Sequence, residues 1–243
     1  MWLILCDPSD HAALWAFTGL HVRGLSPLEL VCAQELACAT FSAHRIGRHN
    51  SMFEIHLPDG RTLLSTEIQG VLNRLSHVPT DHLAFASEPD ARYAADELTA
   101  LVLSWIACVG AVTVNRPSPR GLAGAWRSPA EWNVLAARSG LPVPRMPLST
   151  LIRQAPELPT ATRSVIVLGE FVFGDGVPTD IARACVRLAR SVDADLLGLQ
   201  LHLDHELRAR FAGATYLPDL RLGGQGLLDE LHRHLTRPRV GLL

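Results

Sequence analysis

The sequence contains no lysine; all 22 of its basic side chains are arginine. Every chemistry that needs a lysine amine is thereby excluded: a Schiff base, a phosphate-loop lysine, or lysine contacts to ATP phosphates. Drift in a GC-rich genome accounts for arginine at most surface sites, and the exclusion holds whatever the cause. No block of one sign is present either. The 22 basic groups face 24 acidic ones for a net charge of −2, which argues against nucleic acid as a partner. The five cysteines (Cys6, Cys32, Cys38, Cys108, Cys185) are odd in number and form no Cys-x-x-Cys pair. That pattern fits a reducing cytoplasm, with thiols packed as small apolar groups. Long apolar runs are also lacking. Leu98 to Val114 is uncharged, but it falls short of the ~20 residues a membrane span needs. Gly110 divides it into a buried helix and a buried strand, Val112–Val114, so no membrane association is expected. Trp2–Cys6 has no basic leader and ends at Asp7, which makes it a first β-strand rather than a signal peptide. No serine, Ser104 and Ser118 included, sits in a Gly-x-Ser-x-Gly setting. Internal repeats are absent as well.

What is present is a folded globular chain of 243 residues, 48% hydrophobic and 19% charged. Strands and helices alternate in the first half. Asp10–Thr18 reads as a helix that Gly19 ends. Met52–Leu57 and Thr62–Leu64 read as a hairpin turning at Pro58–Arg61, with Phe53, Ile55 and Leu57 on one face and Glu54 and His56 on the other. A further strand is expected at Glu67–Leu72, and a long helix from Ser87 and Asp90 to about Cys108. Ser128-Pro129-Ala130-Glu131 has the capping serine, early proline and glutamate of a helix start, and Gly140 closes that helix. Five prolines make Leu141–Pro159 the linker. Beyond it, Val165–Leu168 and Phe171–Phe173 form a hairpin at Gly169-Glu170, and Asp180–Ser191 is helical. Leu196–Leu203 and Ala209–Tyr216 are strands, and Gln225–Leu235 is a last helix. The mixed order indicates α/β or α+β with two lobes.

Several groups of residues invite a site. His202-Leu203-Asp204-His205 does not converge on a strand, since His202 and Asp204 point away from His205, so no metal site is expected there. His232 and His234 flank Arg233 near a helix C-terminus and read as surface. Gly223-Gly224-Gln225-Gly226 could present backbone N–H groups to an anion, but a loop-to-helix turn explains it more simply. Asn73-Arg74 and Asn115-Arg116 each follow a short apolar strand. Arginine at a strand end either forks onto a ligand carboxylate or phosphate, or ties a loop carbonyl, and the sequence leaves the two open.

Read together, several segments resemble the ATP-grasp superfamily, in particular its peptide-modifying branch. Gly70-Val71-Leu72-Asn73-Arg74-Leu75 is similar to the end of the pre-ATP-grasp domain. Val114-Asn115-Arg116-Pro117-Ser118-Pro119 is similar to the strand and loop entering the grasp domain, and Trp132 through Leu141-Pro142-Val143-Pro144 to the helix and exit that follow. Val165–Phe173, Asp195–Leu203 and Phe211–Asp219 are similar to the closing strands. The resemblance implies an α/β fold with a pre-ATP-grasp-like lobe over 1–110 and a remnant ATP-grasp lobe over 111–243. It also exposes departures. In the family a whole subdomain lies between the Val-Pro exit and the closing strands, where this chain has only Arg145 to Ser164. The family's ATP-contacting lysines have no counterpart. Its magnesium ligands, an Asp and a later Glu-x-Asn, fall near Gln200 and Ala214-Thr215-Tyr216, none of which is a carboxylate.

The resemblance with these departures implies a truncated, degenerate pseudoenzyme: no catalytic residues, no cofactor and no metal. It implies a cytoplasmic protein that binds a peptide or partner enzyme in a biosynthetic pathway, with oligomers possible. The expected binding residues are Asn73, Arg74, Asn115, Arg116 and Arg120, rimming a groove between the lobes. Two other readings stand beside it. One is an ATP-dependent carboxylate–amine ligase completed by another chain; the other is a small-molecule binding module.

Overall fold

The computed structural model describes residues 1–48, 51–109, 113–144, 161–203 and 208–237. The chain divides into two compact units, Met1–Ala125 with Leu228–Leu243 and Trp126–Leu227. The expected division at 110 differs, because the strand after that point pairs into the first unit's sheet.

In chain order the first unit holds β1 (Trp2–Cys6), α1 (His11–Val22), β2 (Leu28–Cys32), α2 (Ala33–Ala37), β3 (Phe41–Ile46), β4 (Ser51–His56), β5 (Thr62–Leu64), β6 (Gly70–Arg74), α3 (Glu88–Val109) and β7 (Thr113–Val114). A parallel sheet runs in the order β2-β1-β6-β7. Its apolar strands are buried on both faces, as parallel strands are, with Leu3, Leu5, Val31 and Val71 in one core with Trp105 and Ile106 of α3. Asp10 caps α1 by accepting a hydrogen bond from the Ala13 N–H at 3.0 Å. Gly19 does not end that helix. It lies inside, against Leu228, and α1 continues to Val22, with Gly24 at φ 82° supplying the left-handed residue just beyond it.

The strands β3, β4 and β5 form an antiparallel sheet of their own. As the alternation requires, Phe53, Ile55 and Leu57 are buried, and Phe53 meets the Trp105 ring edge-on with centroids 5.2 Å apart. On the other face His56 Nε2 lies 2.7 Å from the Glu54 carboxylate. Arg61, in the expected turn, reaches Asp59 at 2.6 Å, Glu29 at 3.0 Å and Glu35 at 2.5 Å, and donates to the Leu30 carbonyl. It thereby ties the hairpin to β2 and α2, which the sequence reading did not find. The strand expected at Glu67–Leu72 begins later, at Gly70, because the Glu67 N–H closes a turn onto the Leu64 carbonyl.

The second unit holds α4 (Pro129–Arg138), β8 (Ala161–Leu168), β9 (Phe171–Phe173), α5 (Thr179–Ser191), β10 (Leu196–Leu203) and β11 (Ala209–Thr215), and α6 (Gly224–Leu235) starts in it. The sheet is antiparallel in the order β11-β10-β8-β9. The capping box at the start of α4 forms in both directions, Glu131 N–H to Ser128 Oγ at 3.2 Å and Ser128 N–H to Glu131 Oε2 at 2.7 Å. Trp132 and Ala136 of α4 and Ile181, Cys185 and Leu188 of α5 pack on Val165, Val167, Leu197, Leu199 and Leu201. Of the expected linker, residues 141–144 are described, and the Pro142 carbonyl accepts the Phe211 N–H at 2.7 Å. The Leu148–Ile152 segment lies outside the described residues. No described helix is long and apolar enough to cross a membrane.

Two thiols report on the two cores separately. Burial pushes Cys185 in α5 up to about 12, and burial, reinforced by Asp10, Cys32 and Asp7, pushes Cys6 at the end of β1 up to about 12. Between pH ~9 and ~12 the unfolded chain loses these protons while the folded chain keeps them, so stability falls as pH rises through that window. At pH ~8 Cys6 and Cys185 are expected to resist Ellman's reagent until urea unfolds the chain. Rapid titration of both in the native protein contradicts this packing.

Candidate functional site

Asn73, Arg74, Asn115, Arg116 and Arg120 all lie in the first unit, at or after the carboxyl ends of β6 and β7. The structure brings the two asparagines together. Asn73 is fully buried, and its amide donates to the Asn115 carbonyl at 2.9 Å and the Leu122 carbonyl at 2.7 Å. Its side-chain oxygen accepts the Leu75 N–H at 3.3 Å. Asn115 is buried at φ 59°, a left-handed conformation that asparagine tolerates better than most residues. Arg74, 4% exposed, forks onto Asp10 with Nε–Oδ2 at 2.7 Å and Nη2–Oδ1 at 3.2 Å. That carboxylate also caps α1, so Arg74 fixes the start of the helix after β1. Arg116 and Arg120 are exposed. The Arg120 N–H bonds to Ser118 Oγ at 3.1 Å, inside a turn bridged between Ser118 and Gly121. Asn73, Arg74 and Asn115 thus shape the strand ends, and the two exposed arginines stand outside them.

The second unit offers a different surface. Successive residues of β10 point to opposite faces. Leu197, Leu199 and Leu201 turn toward α4 and α5, so Gly198, Gln200 and His202 turn away. The register sets Thr162 and Arg210 beside His202, Ser164 and Gly213 beside Gln200, and Ile166 and Thr215 beside Gly198. Gly198 admits a close approach, since a Cβ there would stand 2.6 Å from the Pro218 side chain. Thr162, Ser164, Gln200, Arg210 and Thr215 are exposed and His202 is half-buried. An irregularity between Gln200 and Leu201 leaves Ala212 unpaired on β11 and re-aims the residues after it. Ala214 and Tyr216 consequently pack on the core under α4 and α5.

Beside the edge strand lies a cavity of about 420 Å³ lined by Trp126, Arg127, Trp132, His202 and Phe211 among others. The Arg127 guanidinium sits 5.3 Å from the Trp132 ring centroid and 6.0 Å from that of Tyr216, and it donates to the Tyr216 hydroxyl. Sequence reasoning missed this cluster; Trp126-Arg127 directly before the capping serine was its only signal. The last glycine-rich stretch, Gly223–Gly226, marks the start of α6.

The arrangement of a parallel α/β unit followed by an antiparallel sheet under α4 and α5 matches solved structures over nearly its whole length. An ATP-grasp ligase of Chryseobacterium gregarium associated with ribosomal peptide modification, in complex with ADP and leader and core peptide, superposes with TM-score 0.72 at 11% identity. It covers 98% of this chain and 97% of that one. The fold is that of an ATP-grasp ligase. The macrocyclase MdnC of Microcystis aeruginosa, bound to precursor peptide MdnA, matches with TM-score 0.71 at 11% identity, covering 96% and 99%. The ligase PsnB, complexed with precursor peptide PsnA2 and AMPPNP, matches with TM-score 0.70 at 16% identity, covering 97% and 98%. No protein-family model and no curated protein matches the sequence.

The triplet expected to stand for Glu-x-Asn was Ala214-Thr215-Tyr216; in the register the β11 positions on the open face are Gly213, beside Gln200, and Thr215, beside Gly198, while Ala214 and Tyr216 pack on the core. The donor set there consists of an amide, an imidazole, hydroxyls and a guanidinium, and Mg²⁺ is ordinarily held through carboxylates. These residues do not fit the ion. Among the described residues no three His, Cys, Asp or Glu side chains cluster as a metal site. Asp204 and His205 lie outside the described residues.

Replacing Asn73 by Ala orphans two buried carbonyls and should cost about 1–3 kcal/mol in urea unfolding. Arg74→Ala strips the part-buried Asp10 carboxylate of its guanidinium and should cost about 3 kcal/mol. Arg116→Ala should leave the unfolding midpoint in place. If Arg116→Ala destabilises as much as Asn73→Ala, the division between buried and exposed members is wrong.

Proposed function

We propose that the chain is a non-catalytic protein on an ATP-grasp fold that recognises a peptide, or an enzyme carrying one, in a peptide-modifying pathway. One observation carries the reading. The open face of the second unit's sheet presents Thr162, Ser164, Gln200, His202, Arg210 and Thr215, with no carboxylate among its described residues. Phosphoryl transfer at such a face needs metal-held charge stabilisation, which this donor set does not supply, and the chain has no lysine to stand in for it. The short connection supports the reading: residues 139–160 join α4 to β8, too few for a subdomain with a core of its own. A peptide partner is supported by the three structural neighbours named above, which are complexes with leader, core or precursor peptides.

Within this reading Arg116 and Arg120 are the recognition residues of the first unit, each able to fork onto a carboxylate. Asn73, Arg74 and Asn115 hold the strand ends from which they project. The five free cysteines fit a reducing compartment. The rival, a carboxylate–amine ligase completed by another chain, is separated by turnover. The purified chain with Mg²⁺ and ATP should release phosphate no faster than a blank, alone and after addition of whatever protein co-purifies with it. Magnesium-dependent release in either mixture, lost on Gln200→Ala, would establish the ligase reading instead.

A further inference from the structure

The helix α5 carries Arg183, Arg187 and Arg190 on its exposed side, and all three line a cavity of about 330 Å³ together with Glu170, Val172 and Val186. Val172 belongs to β9, the outer strand of the sheet, so the cavity is a trough between a helix and a sheet edge. The three guanidiniums are unequally engaged. Arg190 Nε donates to Glu170 Oε1 at 2.9 Å, and its Nη2 reaches the same oxygen. Arg187 spends Nε on the Ser139 carbonyl at 2.9 Å, which orients its fork. Arg183, and the rest of the Arg187 fork, have no partner among the described residues. The trough therefore already holds one carboxylate of its own chain, and it has cationic donors left over beside an apolar floor.

We propose that this trough docks an extended acidic peptide, with alternate carboxylates on Arg183 and Arg187 and apolar side chains against Val172 and Val186. Spacing supports an extended chain. At ~1.5 Å rise per residue, Arg183 and Arg187 stand ~6 Å apart along the helix. Alternate residues of a β-strand repeat at ~6.8 Å, so carboxylates two residues apart meet successive guanidiniums. Carboxylate is the chemistry the trough already accepts at Glu170, and guanidinium forks match it bidentately. Nucleic acid fits less well, because the trough is short and the whole chain carries a net charge of −2. The proposal rests on the peptide-partner reading for the class of ligand. It does not rest on catalytic silence, since the trough shares no residue with the sheet face that carries that argument.

The test measures fluorescence anisotropy of a labelled short peptide alternating glutamate and valine, titrated with the full chain. Two controls accompany it, the same peptide with glutamine for glutamate and a single-stranded thymidine oligonucleotide of similar length. The glutamate peptide should bind, weaken as salt rises, and lose about tenfold in affinity on Arg183→Glu, while the melting temperature of the variant stays that of the parent. Arg183→Ala should give a smaller loss in the same direction. Absence of binding, equal binding of the glutamine peptide or the oligonucleotide, or an affinity unmoved by Arg183→Glu overturns the proposal. Magnesium-dependent ATP turnover with peptide binding intact would overturn the pseudoenzyme reading and leave the trough standing.

Discussion

The second unit depends on the two-sidedness of β10. As an inner strand it must give one face to the core, and Leu197, Leu199 and Leu201 do this beneath α4 and α5. Period-two alternation then turns the buried Leu196 to the other face and, after it, three further positions, Gly198, Gln200 and His202. Every other feature of the open face follows through register. The strands β8 and β11 can place beside these three only what they carry opposite them, and the irregularity at Ala212 decides which residues of β11 those are. A carboxylate introduced at Ala214 would face the helices, whatever its role in a related fold.

A comparable constraint organises the first unit. The loop after β7 must satisfy its carbonyls where the chain is buried, and the Asn73 amide supplies both donors from the end of β6. The neighbouring residue, Arg74, serves the loop after β1 through Asp10. Two adjacent residues at one strand end therefore hold two different connections. This is why a strand-end motif that looks ready for a ligand is largely consumed by architecture, with only Arg116 and Arg120 of the five exposed.

Much of this was legible in the sequence. The capping box at Ser128, the hairpin at Pro58–Arg61, β1, and the strands and helices after residue 161 all carry local signals that their packing reinforces. What was missed lacked such signals. The β3 strand is largely polar and exposed, and β2 and α2 abut with no turn residue between them. Arg61 joins groups 26 and 31 or more residues away, which no local pattern reveals. Gly19 misled because a helix glycine reads as a stop, whereas this one makes room for a side chain from a distant segment. For the site, residue types were readable but burial was not. Asn73 and Arg116 look alike as polar residues after apolar strands, and only the fold separates them. The Arg127 cluster joins residues from three elements and was invisible for the same reason.

On the proposed reading, an ATP-grasp fold with no carboxylate among the described residues of its open sheet face keeps shape and arginines without the means to stabilise a transferring phosphoryl group. The most direct measure of that claim is thermal melting with and without saturating Mg·ADP. A site occupied at about one hundred times its dissociation constant adds ~2.7 kcal/mol, worth ~5–10 °C in a chain of this size. The account predicts coincident melting curves. A reproducible magnesium-dependent rise of several degrees contradicts it.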